Sequence, residues 1–296
     1  MFREGAGRFG WDQRRPAGQA QPESGWFVGL GVASSTYPAM LMPGSSAMIR
    51  YDGDDRYAVR IGAADIGTGT WTTLTQIAAD ALGRPVDAVN LEIGDTDLPM
   101  ATVEGGSAGM SSWGSAVVAA ARAFSDKFGD RPAAGDEISA DTPDNPDTER
   151  FAMHSFGAQF VQVRVHADTG EIRVPRMLGV FSVGRIINPA TARSQLIGGM
   201  TMGLSMALHE QSVIDPRFGH VVNHDFAEYH IPTNADVLDV DAIWLDEADE
   251  RSNPMGSRGI GEIGIVGAAA AIANAAFNAT GIRIRDLPIT PDKLLS

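Results

Sequence analysis

The chain has 296 residues, and its 23 Lys and Arg stand against 37 Asp and Glu, a formal net charge of −14 that repels nucleic acid and anionic membrane surfaces. With 44% hydrophobic and 20% charged residues it has the balance of a folded protein, long enough to bury about two cores. It has no cysteine, which removes disulfides, thiolate-bound zinc and any iron–sulfur cluster held by this chain.

Met1–Gln21 is polar with scattered Arg and lacks the apolar core of a signal peptide. Gly25–Thr36 and Ser45–Asp52 are predicted strands, Asp52–Asp55 a turn, and Arg56–Asp65 a third strand. In Trp71–Leu82 the apolar residues Leu74, Ile77, Ala78, Ala81 and Leu82 recur at helical spacing, and Gly83 and Pro85 stop the helix. A short strand is expected at Val89–Ile93 and an Ala- and Val-rich helix at Ser112–Phe128. Residues 129–150 are acidic and proline-rich and predict a solvated connection. Beyond it, Ser155–Ala167 and Glu171–Phe181 flank Asp168-Thr169-Gly170 and predict a hairpin. Pro189 suits the first turn of a helix running to about His209, Val237–Leu245 reads as a strand, and Glu262–Thr280 as one long apolar helix closed by Gly281. No run of ~18 consecutive apolar residues occurs, so no membrane insertion is expected. Each half repeats the order strands–helix–strand–helix. The predicted class is α+β, with two similar two-layer lobes over 1–128 and 151–296, each a mixed sheet with helices on one face.

A glycine-rich loop precedes the last helix of each half, Gly105–Gly109 in the first and Gly256–Gly261 in the second. Loops at helix N-termini present unpaired N–H groups that suit anionic groups, and pseudo-symmetric packing of the lobes would turn both loops to one cleft. Gly67-Thr68-Gly69 also opens a helix, but Thr72 stands where a dinucleotide fingerprint needs its third glycine. No Walker A pattern occurs, and the six histidines lack the spacing of a metal site. Glu262 follows three glycines and precedes an apolar helix. A glutamate there either complements the helix dipole or, partly desolvated, serves as a general base. The second role requires a mostly buried carboxylate with no cation pinning it, so that Arg258, the nearest candidate, points away.

Several stretches carry a resemblance: Gly67-Thr68-Gly69 with Thr72 and Gln76–Gly83, then Gly94-Asp95-Thr96-Asp97, Ile187-Asn188-Pro189, Gln195–Gly199, Tyr229 with Ile231-Pro232-Thr233, and Gly256, Gly259, Gly261 and Glu262. In this order and spacing they resemble the xanthine dehydrogenase/aldehyde oxidase family, and Asn278–Leu294 is similar to the end of bacterial aldehyde oxidoreductase large subunits. Thr68 departs from the Gln that many relatives carry there, and Ala108–Ser112 is this chain's own.

The resemblance covers the second half of the family's molybdenum-binding region, and the family's first molybdenum lobe becomes an expected partner. It implies a molybdenum–molybdopterin cofactor, in the cytosine dinucleotide form, with [2Fe–2S] clusters and FAD on partner chains, an iron–sulfur subunit and an FAD subunit. Glu262 matches the general base that takes a proton as oxygen attacks an electron-poor carbon. Gly106 and Ser107 match the loop beside the metal, and Gln76 and Gln195 match pterin contacts, an amide offering donor and acceptor together. Gly67, Gly69 and Gly261 are expected to shape the same cleft, and no protein side chain is expected to ligate the metal. The implied reaction is hydroxylation of aldehydes, or of N-heterocycles such as purines, with water as the oxygen source and electrons leaving to the iron–sulfur subunit. A different reading is a truncated, non-catalytic lobe that only binds partners or is inert. A phosphate-binding module is disfavoured because neither loop carries Lys. The compartment stays open, since periplasmic relatives ride on a partner's export signal.

Overall fold

The computed structural model describes residues 1–20 and 22–295. The first sheet has the order β4-β3-β2-β5, built from β2 (Ser46–Gly53), β3 (Arg56–Arg60), β4 (Val89–Glu92) and β5 (Glu137–Asp141). β2 and β3 form an antiparallel hairpin whose turn places Gly53, Asp54 and Asp55 at positive φ, as the two-residue reversal demands. β4 returns parallel to β3 through helix α2 (Thr70–Leu82), which stops at the left-handed Gly83. α2 and α3 (Gly109–Phe128) pack together over one face of this sheet, burying Ile49, Val59, Leu74, Ile77, Trp113 and Val117.

The second sheet has the order β1-β6-β7-β8, from β1 (Trp26–Pro38), β6 (His154–His166), β7 (Ile172–Ser182) and β8 (Asp239–Trp244). β6 and β7 are the predicted hairpin, and β8 lies parallel to β7 after α4 (Pro189–Leu208). Asn188 caps α4 by accepting the N–H groups of Ala190 and Thr191, each at 3.1 Å. The apolar run after Glu262 forms α5 (Ile263–Val266) and α6 (Ala268–Thr280), and α6 lies across β1 and β6. Its backbone comes so close that a Cβ on Gly29 or Gly31 of β1 would strike the main chain of α6. The fold is α+β with mixed sheets.

Four expectations need correction. β1, assigned by position to the 1–128 lobe, pairs along its whole length with β6 of the other sheet. β5 lies inside the expected 129–150 connection, yet pairs antiparallel with β2 and packs Ile138 and Ala140 against the first core. Chain order therefore does not separate the sheets: long-range pairing outweighs local composition at both places. Helices also do not keep to one face. The polar N-terminus folds as α1 (Phe2–Phe9) on the second sheet's far side, where Phe9 meets Phe160 at 5.8 Å and Trp11 adds an edge contact. Finally, the long helix expected over Glu262–Thr280 breaks at Gly267, where the Gln159 amide donates to the Gly264 carbonyl that a continuous helix would offer to the Ala268 N–H. The Ile263–Thr280 run has the length and mean hydropathy, 1.5, of a membrane span, but over half of it is buried against the sheet as a core element.

Candidate active site

The loops that precede the helices converge on a cavity of about 330 Å³, the scale of small-molecule sites. Ile66 and Thr68 enter from the turn before α2 and Thr70 from its first position, Gly105–Ser107 from the turn before α3, and Ser257–Glu262 from the turn before α5. Asn188, Thr191 and Gln195 of the first turns of α4 complete the wall. Both glycine-rich loops thus face one cavity, although they lie some 150 residues apart in the chain.

The two loops touch at Ser107 and Glu262. Ser107 has a left-handed backbone, φ 57°, rare for a residue with a Cβ. Its Oγ accepts the Glu262 N–H at 3.0 Å and donates to the Glu262 carboxylate. A Cβ on Gly261 would lie 3.0 Å from that Oγ, and one on Gly259 would strike the Ser107 carbonyl oxygen, so the approach depends on both glycines.

Glu262 is half-buried in this chain, less than a fully dry base requires, and Gly261 beside it is exposed. Among the described residues no Lys or Arg pairs with it. Arg258 turns away to Glu247 at 2.5 Å and Asp249 at 3.5 Å. Tyr37, at the end of β1, reaches the Glu262 side chain. Burial first, then hydrogen bonding to Glu262 and its negative charge, push the Tyr37 phenol above its usual value.

Of the residues singled out in the sequence, Gly106, Ser107, Gln195, Gly261 and Glu262 line the cavity, and Gly67, Gly69 and Gln76 do not. The Asp65 carboxylate takes the N–H groups of Gly67 at 2.8 Å, Gly69 at 3.3 Å and Trp71 at 3.3 Å, so this turn spends its donors on its own scaffold. Gly69 packs on α4, where a Cβ would press Thr191 Cγ2 at 2.6 Å. Gln76 stands one step behind the wall and accepts a hydrogen bond from Asn188 Nδ2 at 3.1 Å.

Two wall or near-wall residues escaped the sequence reading. Tyr37 had no local signal, since β1 reaches the site only through pairing with β6. Glu104 did have one, standing directly before Gly105-Gly106. Its Oε1 accepts from Thr68 Oγ1 at 2.8 Å, while its other oxygen is shielded from water and has no donor among the described residues. On the opposite side of the balance, no internal acceptor among the described residues takes the N–H of Gly106 or Gly259. An orphaned acceptor and spare backbone donors along one glycine-lined wall fit a flat, heteroatom-rich group such as a pterin. Among the described residues, no three His, Asp or Glu side chains gather to hold a metal ion directly.

The sequence profile of the molybdopterin cofactor-binding domain matches residues 4–142 and 134–238. The chain belongs to this family. Over 322 residues this molybdopterin-family chain is 40% identical to the aldehyde oxidoreductase molybdenum-binding subunit PaoC of Escherichia coli (strain K12), covering 99% of the chain and 44% of PaoC. It is 29% identical over 334 residues to the putative xanthine dehydrogenase molybdenum-binding subunit XdhA of the same organism, covering 97% of the chain and 44% of XdhA. The fold is shared with the aldehyde oxidoreductase from Desulfovibrio desulfuricans, with a TM-score of 0.83 at 23% identity, over 99% of this chain and 34% of that one. The chain thus spans less than half the length of the relatives it matches.

Proposed function

We propose that this chain is the part of a molybdenum hydroxylase's molybdenum-binding subunit that carries the general base, and that the enzyme oxidises aldehydes. The observation that carries the reading is Glu262, an unpaired carboxylate at the meeting point of two glycine loops in a pterin-sized cavity. The 40% identity to an aldehyde oxidoreductase subunit favours aldehydes over the purine-type heterocycles of the more distant relative.

Gly106 and Ser107 through their backbone N–H groups, with Gln195 and Gly261, would hold the molybdopterin, and Gln76 and Gly67–Gly69 would set the wall behind them. When bound, the molybdenum centre supplies the two-electron redox chemistry and water the product oxygen. The chain's own part is acid–base and positional. One oxygen of Glu262 is engaged by Ser107, which leaves the other to accept the proton of the attacking hydroxyl. Ile260 on the cavity wall, with Ile263 buried behind the carboxylate, limits water around it. With no cysteine in this sequence, iron–sulfur clusters would be held elsewhere, and the family resemblance supports FAD on a partner chain and the cytosine dinucleotide form of the cofactor. The first molybdenum lobe would close the open side of the cavity. A non-catalytic fragment would share the fold, and whether it binds partners or is inert, the purified assembly would turn over no aldehyde.

The test is purification with co-purifying chains, metal and pterin analysis, and turnover of an aldehyde. Glu262→Gln keeps the shape and loses the proton acceptor, so turnover should fall by roughly 10²–10⁴-fold with unchanged molybdenum content. Near-normal turnover would remove Glu262 from the mechanism. Loss of cofactor together with activity would make its role structural.

A further inference from the structure

We propose that the Ser107 side chain is a positioning residue for Glu262: its hydroxyl clamps the two glycine loops together and fixes which carboxylate oxygen faces the reaction. This rests on the reading of Glu262 as general base and goes beyond Ser107 as a member of the cofactor loop.

The hydroxyl works in both directions, accepting the Glu262 N–H at 3.0 Å and donating to the carboxylate of the same residue. In a helix capping box two side chains each take the other residue's N–H; here one hydroxyl serves both the N–H and the carboxylate of a residue 155 positions away. Two features show that the chain is built around this contact. Ser107 is held at φ 57°, where a glycine would sit without strain and where Gly106 before it already has φ 61°. Gly259 and Gly261 both lack the Cβ that would meet Ser107. A side chain is therefore kept at a glycine position, and glycines stand where side chains would push it out. α5, which Glu262 begins, is a single turn of four residues and cannot fix the carboxylate by itself. With one oxygen tied to Ser107, the side chain loses the rotational freedom that would blunt a base.

The test compares Ser107→Gly, Ser107→Ala, Glu262→Gln and the Ser107→Gly/Glu262→Gln double variant, each in the full complex with its partner chains. Glycine relieves the backbone strain, so Ser107→Gly should melt no lower than the parent. A purely conformational role for Ser107 predicts full activity in that variant. The clamp predicts a fall in kcat of about tenfold with KM within about twofold and molybdenum content unchanged, since only the orientation of the base is lost. Ser107→Ala should lose the same kcat and also some stability. In the double variant the Ser107 substitution should add nothing to the loss caused by Glu262→Gln, because both act through one carboxylate.

A second measurement separates the clamp from the catalytic reading. In the full chain labelled with ¹³C at Glu side-chain carboxyls, the resonance that disappears in Glu262→Gln should move in Ser107→Gly. A resonance that does not move overturns the clamp whatever the kinetics show. A resonance that moves while Glu262→Gln turns over normally keeps the clamp and overturns the base. Loss of molybdenum in Ser107→Gly, or multiplying effects in the double variant, would make Ser107 a cofactor contact and refute its action through Glu262.

Discussion

The Arg258 side chain is only 9% exposed, and its guanidinium lies between Glu247 at 2.5 Å and Asp249 at 3.5 Å. It also donates to the His154 carbonyl at 2.6 Å and to Ser182 Oγ at 3.1 Å, tying the Gly256–Gly261 loop to the ends of β6 and β7. Read from the sequence, Arg258 is the natural ion-pair partner of Glu262, four residues on. The carboxylates that follow β8 take it instead. Arg258→Met should cost about 2–3 kcal/mol in denaturant unfolding, since removing one partner of a shielded pair strands the other, discounted here for the partial exposure of Glu247 and Asp249. Arg258→Lys should recover little of this, because an ammonium does not reach in several directions as the guanidinium fork does.

At the scale of an element, the turn before α2 shows how a glycine motif can serve a scaffold and not a ligand. Burial by itself would raise the Asp65 carboxyl, but the backbone N–H groups of Gly67, Trp71, Gly69 and Thr70 outweigh it and hold the group below its ordinary value of 3.8. A folded-state value depressed in this way gives stability that is complete above the ordinary value and is lost as pH falls through the folded one. Asp65→Asn should therefore lower stability by about 1 kcal/mol at neutral pH, a figure reduced for the group's partial exposure, and the gap to the parent should close in acid. Melting temperatures measured from pH 7 down to below the carboxylate range check this. A gap that stays constant with pH would show that Asp65 acts through packing alone.

For the molecule as a whole, the notable surface is the irregular segment 209–238, which leaves Ile214 61%, Phe218 73% and Phe226 86% exposed. Together with a cavity open at Gly261, such apolar exposure is more than a soluble monomer ordinarily leaves to water. The chain expressed alone should self-associate in sedimentation velocity and keep well under one molybdenum per chain. The double substitution Phe218→Ser and Phe226→Ser should reduce the association without lowering the melting temperature, since neither ring belongs to a core. A monodisperse monomer with stoichiometric molybdenum would sink this prediction.

What was legible in the sequence was local. Helical spacing located α2 and α3, Asp168-Thr169-Gly170 located the β6–β7 hairpin, and three glycines before an apolar run marked Glu262. The α+β class followed from the order of such segments, because periodicity is imposed by the geometry of each element alone. Tertiary structure alone decided the rest. β1 crosses to the other sheet and β5 rises out of an acidic connection, since strand pairing joins residues that share no local signal. The same pairing brings Tyr37 to Glu262, and the packing of the two lobes brings Ser107 there from 155 residues away. The glycines of the Asp65 turn looked alike in sequence to those of the other loops. Only the position of the Asp65 carboxylate, which satisfies their N–H groups internally, separated a scaffold turn from the loops that line the cavity.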